Sequence, residues 1–230
     1  MRKASKRFKK CLEALEKDKY YSLKEAVTVL KDLPHPKFDE TVELACKLNI
    51  DPKQSEQIVR GTTVLPHGIG KAVRVCVFCK GEDINKAKEM GADFAGGSDL
   101  IEKIRKGWLE FDKAASTPEM MKEAAQLGKI LGPRGMMPSP KVGTVGPDIA
   151  RIVKELKSGK VQFKTDKTAN IHAVAGKVSF SVQDICENAS TLFKAILSVR
   201  PATVKGRYIE NASISTTMGP AVRLDVARIS

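Results

Sequence analysis

The chain reads as a combination of α/β and α+β architecture: a split α+β domain made of residues 1–67 and 160–230, with an α/β domain inserted at 68–159. Three observations predict this. The outer stretches carry a strictly alternating strand, short strands and an amphipathic helix. The middle stretch alternates strand with helix, as a small parallel sheet requires. Glycine-bearing segments, LPHGIG at 65–70 and LKSGK at 156–160, stand at the two crossings, where large backbone changes are easy and relative domain motion is expected.

Taken in order, residues 4–17 and 22–31 predict helices; in the second, Leu23, Ala26, Val27 and Leu30 recur at helical spacing. Thr41–Ile50 switches to period two. Val42, Leu44, Cys46, Leu48 and Ile50 share one face and Thr41, Glu43, Lys47 and Asn49 the other, so the strand is half-buried and its second face is free to present polar groups. In the insert, Ala72–Cys79 is a buried-type strand, Asp83–Met90 a helix, Ala92–Phe94 a short strand and Asp99–Lys106 a helix. Phe111–Ala115 follows as a third strand, then Pro118–Leu127 as a helix with proline in its first turn, and Asp148–Lys157 as a closing helix. Beyond the insert, Val161–Lys164, Ile171–Val174 and Lys177–Val182 predict short strands and Gln183–Val199 an amphipathic helix with Ile185, Ala189, Leu192, Phe193, Ile196 and Leu197 on one stripe. Two strands near Arg207–Thr216 and Ala221–Arg228 close the chain.

Leu131–Pro147 (LGPRGMMPSPKVGTVGP) can continue neither as helix nor as central strand, because proline lacks a donor N–H and fixed glycine loses much backbone entropy. Proline stiffens the segment, and Leu131, Met136, Met137 and Val142 anchor it. No acidic residue occurs between Ala124 and Pro147, whereas Lys129, Arg134 and Lys141 project from it. A shaped cationic loop suits an anionic partner.

Bulk composition agrees. Net charge is +13, spread along the chain, and the first ten residues (MRKASKRFKK) hold six cations and no anion. Such a balance favours nucleic acid or an anionic membrane surface as partner; a soluble basic protein with no polyanion partner is the plainer alternative. No apolar run approaches the ~20 residues that cross a bilayer, and the amino terminus lacks the apolar stretch of a secretory signal. Five cysteines, an odd number without regular framework, fit a reducing compartment, so a cytoplasmic location without membrane is expected.

Catalytic classes find no constellation. Cys76 and Cys79 form a C-x-x-C inside a predicted strand, without the second pair of a zinc ribbon or the helix start of a redox site, and core cysteine is the favoured reading. His35, His67 and His172 belong to no metalloprotease motif, and no G-x-S-x-G turn occurs. The turn after Cys79 (KGED) has acids where a pyrophosphate needs glycines, and no Gly-Lys pair continues into Ser or Thr with phosphate-loop spacing. No enzyme, metal or cofactor is therefore expected. Three other segments carry a binding reading beside a plain one. Lys164–Thr168 (KTDKT) is either a cationic hairpin tip or an ordinary solvated turn. Lys37 beside Phe38 is either a cation–aromatic contact or a cation next to a core filler. Ser215–Gly219 (STTMG) is either a strand end or a surface for a sugar–phosphate strand, with hydroxyls for ribose 2′-OH groups, Met218 for a base or sugar face and Gly219 for close approach.

With KFDETVEL (37–44), NIDPKQSEQIVRGTTVLPHG (49–68), GADFAGGSDLIEKI (91–104), LGKILGPRGMMPSPKVGTV (127–145), QFKTDKTANIHAVAGKVSF (162–180) and STTMGPAVRLD (215–225), the chain closely resembles one family. This is the large-subunit ribosomal protein of the mobile exit-site stalk, number one in its series, in bacterial form. The resemblance implies that the insert is a Rossmann-like three-layer unit and that the split domain holds the principal site for 23S rRNA of the stalk. The RNA-facing positions it implies are Lys37, Phe38, Thr41, Glu43 and Lys47; Lys164, Asp166, Lys167, Thr168 and His172; and Ser215, Thr217, Met218 and Gly219. Glu43 would accept from a 2′-OH or exocyclic amine. Arg134 and Lys141 would make a second, looser RNA contact. The resemblance further implies assembly into the large ribosomal subunit, a part in the release of exit-site tRNA, repression of its own operon mRNA, and a monomer when free. Ala169 stands where the family commonly has glycine, Val174 where it has proline and Ser139 where it has asparagine. The rival classes are a Rossmann-type enzyme, disfavoured by the missing phosphate loop, and a free-standing RNA-binding regulator, which co-sedimentation with ribosomes would separate.

Overall fold

The computed structural model describes residues 5–16, 19–204 and 206–228. Along the chain the helices are α1 (Lys6–Glu13), α2 (Leu23–Asp32), α3 (Asp83–Glu89), α4 (Ser98–Arg105), α5 (Met121–Ala124), α6 (Gly128–Leu131), α7 (Ile149–Lys157) and α8 (Val182–Ser198). The strands are β1 (Thr41–Leu48), β2 (Arg60–Val64), β3 (Val75–Phe78), β4 (Phe94–Gly96), β5 (Lys113–Ser116), β6 (Lys160–Lys164), β7 (Asn170–Lys177), β8 (Ile209–Thr216) and β9 (Ala221–Leu224). Backbone contacts divide the chain into two compact units, residues 1–70 with 161–230 and residues 71–160. Residues 4 and 17, the ends of the first predicted helix, and most of the basic amino terminus lie outside the described residues.

In the first unit an antiparallel sheet has the order β7-β1-β8-β9. The alternation of β1 decides its two faces. Val42, Leu44, Cys46 and Leu48 are buried in one core with Ile171, Ala173, Ile214, Val222 and Leu224 from its neighbours. Helices α2 and α8 cover that core face, contributing Ala26, Val27 and Leu30, and Ile185, Ala189, Leu192, Phe193 and Ile196. Both helices begin with a capping box, Ser22 with Glu25 and Ser181 with Asp184, which satisfies orphan N–H groups at the first turn. A two-stranded ribbon pairs β2 with β6. Gly61 is required there, because a Cβ would stand 2.5 Å from the ring of the buried Phe163.

The second unit is a parallel sheet of order β4-β3-β5. Cys76 and Phe78 face a core filled by Leu100, Ile101 and Ile104 of α4 and by Met120, Ala124, Leu127 and Leu131. Helices α3 and α7 pack together on the other side, α7 against β3 and β5, completing three layers. Cys76 and Cys79 are both buried, and burial pushes the Cys76 thiol up to about 12.

Four expectations change. The predicted strand Ile171–Val174 is longer, β7 running on to Lys177, and the predicted strand Lys177–Val182 does not form: a turn follows Lys177, Ser181 caps α8 and Val182 is its first residue. Gly176, which resembles a turn signal in the sequence, sits at a bulge where the register against Val42 and Glu43 shifts. Pro118–Leu127 is not one helix but α5, a 3₁₀ turn at Ala125–Leu127 and then α6. The last strand ends at Leu224 and gives way to a 3₁₀ turn at Val226–Arg228. β2 has no counterpart in the sequence reading, because RGTTV lacks alternation and its partner lies about a hundred residues away.

Candidate nucleic-acid interface

The face of the β7-β1-β8-β9 sheet turned away from α2 and α8 is polar, and its residues are exposed or half-buried. Register places them in rows across the sheet. Glu43 lies between Val174 and Ser215, Ala45 between His172 and Ser213, and Lys47 between Asn170 and Asn211; Arg223 extends the middle row beside Ser213. Thr41, Glu43, Lys47, His172 and Ser215, read from separate parts of the sequence, thus share one surface. Strand geometry gives β1 a length of roughly 20 Å between Thr41 and Lys47. The other expected residues collect at its two ends.

At the Thr41 end stands the turn Thr217–Gly219. The Thr217 hydroxyl accepts from the Thr41 N–H at 3.0 Å and donates to the Thr41 carbonyl at 3.3 Å. The turn is held from beneath as well. The Glu40 carboxylate, 1% exposed, accepts the Met218 N–H at 2.7 Å, and its other oxygen meets His35 Nδ1 at 2.6 Å. The second ring nitrogen of His35 lies 3.2 Å from the Lys31 carbonyl at the end of α2. Arg7 of α1 donates to the Met218 carbonyl at 2.8 Å and to the Pro34 carbonyl at 3.0 Å. Both polar groups of the Met218 backbone are therefore engaged while its side chain is 52% exposed. Gly219 has an intramolecular reason: a Cβ there would meet Thr216 Oγ1 at 2.3 Å. Lys37 and Phe38 are exposed just ahead of β1, Phe38 by 53%, so the core-filler reading of Phe38 is excluded.

At the Lys47 end stands the hairpin between β6 and β7. Asp166 organises it, accepting from the Thr168 N–H (2.8 Å), the Thr168 hydroxyl (2.9 Å), the Asn170 N–H (2.8 Å) and the Asn170 amide (3.3 Å). These donors, the Asn170 backbone first, hold its carboxyl at about 2. Asp166 is accordingly a positioning group, and Lys164 and Lys167 are the exposed cations it displays. Lys47 donates to the Thr168 carbonyl, tying the tip to β1. Ala169 adopts φ 62, the single left-handed non-glycine among the described residues. It is buried, and its carbonyl accepts the Leu48 N–H at 2.9 Å.

Arg134 and Lys141 belong to the other unit, where both are exposed. The Gly/Pro segment around them is shaped by buried Leu131 and Val142, by Gly135 and Gly143 at positive φ, and by Thr144, whose hydroxyl accepts the Ser139 N–H at 2.8 Å. Sequence reasoning passed over Tyr20, Asn170, Asn211, Ser213 and Arg223, all at or beside the open face. Period-two alternation in β8 and β9 carried a signal for Asn211, Ser213 and Arg223; Tyr20 lies in no strand and had none. Among the described residues no group of His, Cys, Asp and Glu is arranged to hold a metal, and no helix is long and apolar enough to cross a membrane.

The chain as a whole is similar to known proteins. Residues 29–220 match the model of the ribosomal protein L1p/L10e family. The large ribosomal subunit protein uL1 of Persephonella marina is 49% identical over 233 aligned positions, covering all of this chain and 96% of that relative.

Proposed function

Because the chain belongs to the ribosomal protein L1p/L10e family, in its bacterial form, and is a non-enzymatic structural constituent of the large ribosomal subunit, we propose that the open face of its split unit binds 23S rRNA directly at the mobile stalk near the exit site. The observation that carries this is the convergence, on one uncovered sheet, of a fixed turn with an exposed methionine, an exposed phenylalanine and a hairpin displaying Lys164 and Lys167. Lys37, Lys164 and Lys167 attract phosphates and set the salt dependence. Phe38 and Met218 offer apolar contact to an unstacked base or sugar, and Glu43 accepts from an exocyclic amine or from a 2′-OH, the latter distinguishing RNA from DNA.

The two units then act as a gripping domain and an arm. Arg134 and Lys141 make a secondary RNA contact from the arm, and the arm takes part in releasing deacylated tRNA. A leader of the chain's own operon mRNA that presents the same nucleotides competes for the same face, which makes the free protein, a monomer, a translational repressor. The test is a salt titration of stalk-RNA binding. Each phosphate contact removed in Lys37→Ala or Lys164→Ala should lower the slope of log K against log salt by about 0.7–0.9. Slopes identical to wild type would refute the assignment of these cations. Operon mRNA that fails to compete with stalk RNA would refute the repressor part alone.

A further inference from the structure

Across its middle row the open face carries a trough that includes the RNA-facing Lys47 and His172 and runs beyond them to Tyr20 and Arg223, which the function above does not use. Its floor is small: Ala45, Ser213 and Ala221 lie on three adjacent strands, Ser213 opposite Ala45 and two residues, hence on the same face, from Ser215, the pairing partner of Ala221. Taller side chains flank it, His172 on one side and Tyr20 and Arg223 on the other, and no acidic residue lines it. Tyr20 is 57% exposed, and its position follows from its neighbour. The Tyr21 N–H donates to the Arg223 carbonyl at 3.0 Å and its carbonyl accepts the Asp225 N–H at 2.9 Å, so residue 21 extends the β9 edge and turns its ring into the core. Alternation then directs Tyr20 to the opposite, open side.

We propose that this trough receives an unpaired nucleotide of the rRNA, its base stacked on the Tyr20 ring and its sugar and phosphate lying over the small-residue floor between His172 and Arg223. A flat aromatic beside a cationic, acid-free channel matches the chemistry of a single-stranded nucleotide, and the floor leaves room for it. The inference rests on the reading of the split unit as an RNA binder. Tyr20 is a second recognition point, on the side of the sheet remote from the hairpin.

The test uses the full-length chain and a transcript of the stalk segment of its large-subunit rRNA. Tyr20→Ala should weaken binding about tenfold, Tyr20→Phe should bind as wild type because the ring remains, and Ser213→Leu should weaken binding by filling the floor. Chemical footprinting should show one base that loses protection in Tyr20→Ala and keeps it in Met218→Ala. If Met218→Ala weakens binding while Tyr20→Ala and Ser213→Leu, verified as folded by thermal melting, bind as wild type, the trough is overturned and the main reading stands. Unchanged RNA affinity with altered sedimentation in Tyr20→Ala would assign the trough to a second copy of the chain and overturn the inference as well. If the wild-type chain fails to prefer stalk RNA over an unrelated duplex, the main reading itself fails.

Discussion

Met218 is gripped through its backbone and presented through its side chain, and the two can be separated experimentally. Met218→Ala removes the exposed thioether but keeps the bonds to Glu40 and Arg7. Loss of about half a methionine's burial, ~0.8–1.5 kcal/mol, should weaken stalk-RNA binding roughly four- to twelvefold with an unchanged melting temperature. Thr217→Ala is a different experiment, because that hydroxyl bonds the Thr41 backbone in both directions; it should weaken binding by loosening the turn. Asp166 gives a pH signature. Its folded value of about 2 lies below the ordinary 3.8, so its contribution is fully present above pH 4 and is lost as pH falls through 2. The melting-temperature difference between wild type and Asp166→Asn should therefore be constant above pH 4 and vanish below 2. Tyr208 has no such support: its hydroxyl is buried with no hydrogen-bond partner among the described residues. Tyr208→Phe should leave stability unchanged or raise it by about 1 kcal/mol in denaturant titrations.

Among the elements, the segment that leaves the first unit is clamped to the start of α8. The His67 N–H donates to the Asn188 amide oxygen at 3.2 Å, and the His67 ring meets Glu187 at 2.6 Å and Asp184 at 3.5 Å. Glu187 chiefly, with Asp184, raises the His67 pKa. A raised histidine contributes stability that is complete below 6.5 and disappears as pH rises through the folded value. The stability difference between wild type and His67→Gln should follow that course. In α8 itself, Ser181→Ala removes the capping bond to Asp184 and should cost about 1 kcal/mol. Elements with a strong internal period were legible in the sequence: β1 from its alternation, and α8 from its stripe, which reappears as the face packed on the sheet except for Leu197, which is exposed near the end of the helix. Elements fixed by distant partners were not. β2 exists because β6 pairs with it, and β7 runs through Gly176, which pairs with Val42, because a bulge opposite Val42 and Glu43 absorbs Ala175. The site shows the same division. Phe38 and STTMG announced themselves by residue type, whereas the Glu40–His35 support beneath Met218 and the wall formed by Tyr20 depend on the tertiary fold.

At the scale of the molecule, each unit has its own hydrophobic core, the first around β1 and α8 and the second around β3 and α4. The proposed grip lies in the first. A chain in which residues 71–160 are replaced by a short glycine-rich link should therefore fold and bind stalk RNA with most of the full-length affinity. Loss of binding by that folded chain would move the principal site to the insert. The family and the open sheet together predict that one surface binds one RNA. Titration of the full-length chain and its Met218→Ala variant with the stalk segment of 23S rRNA, beside an unrelated duplex of equal length, tests this most directly. Wild type should prefer the stalk RNA, and the variant should lose roughly four- to twelvefold on that RNA alone. Equal affinity of the wild-type chain for both RNAs, or a variant indistinguishable from wild type, would contradict the account.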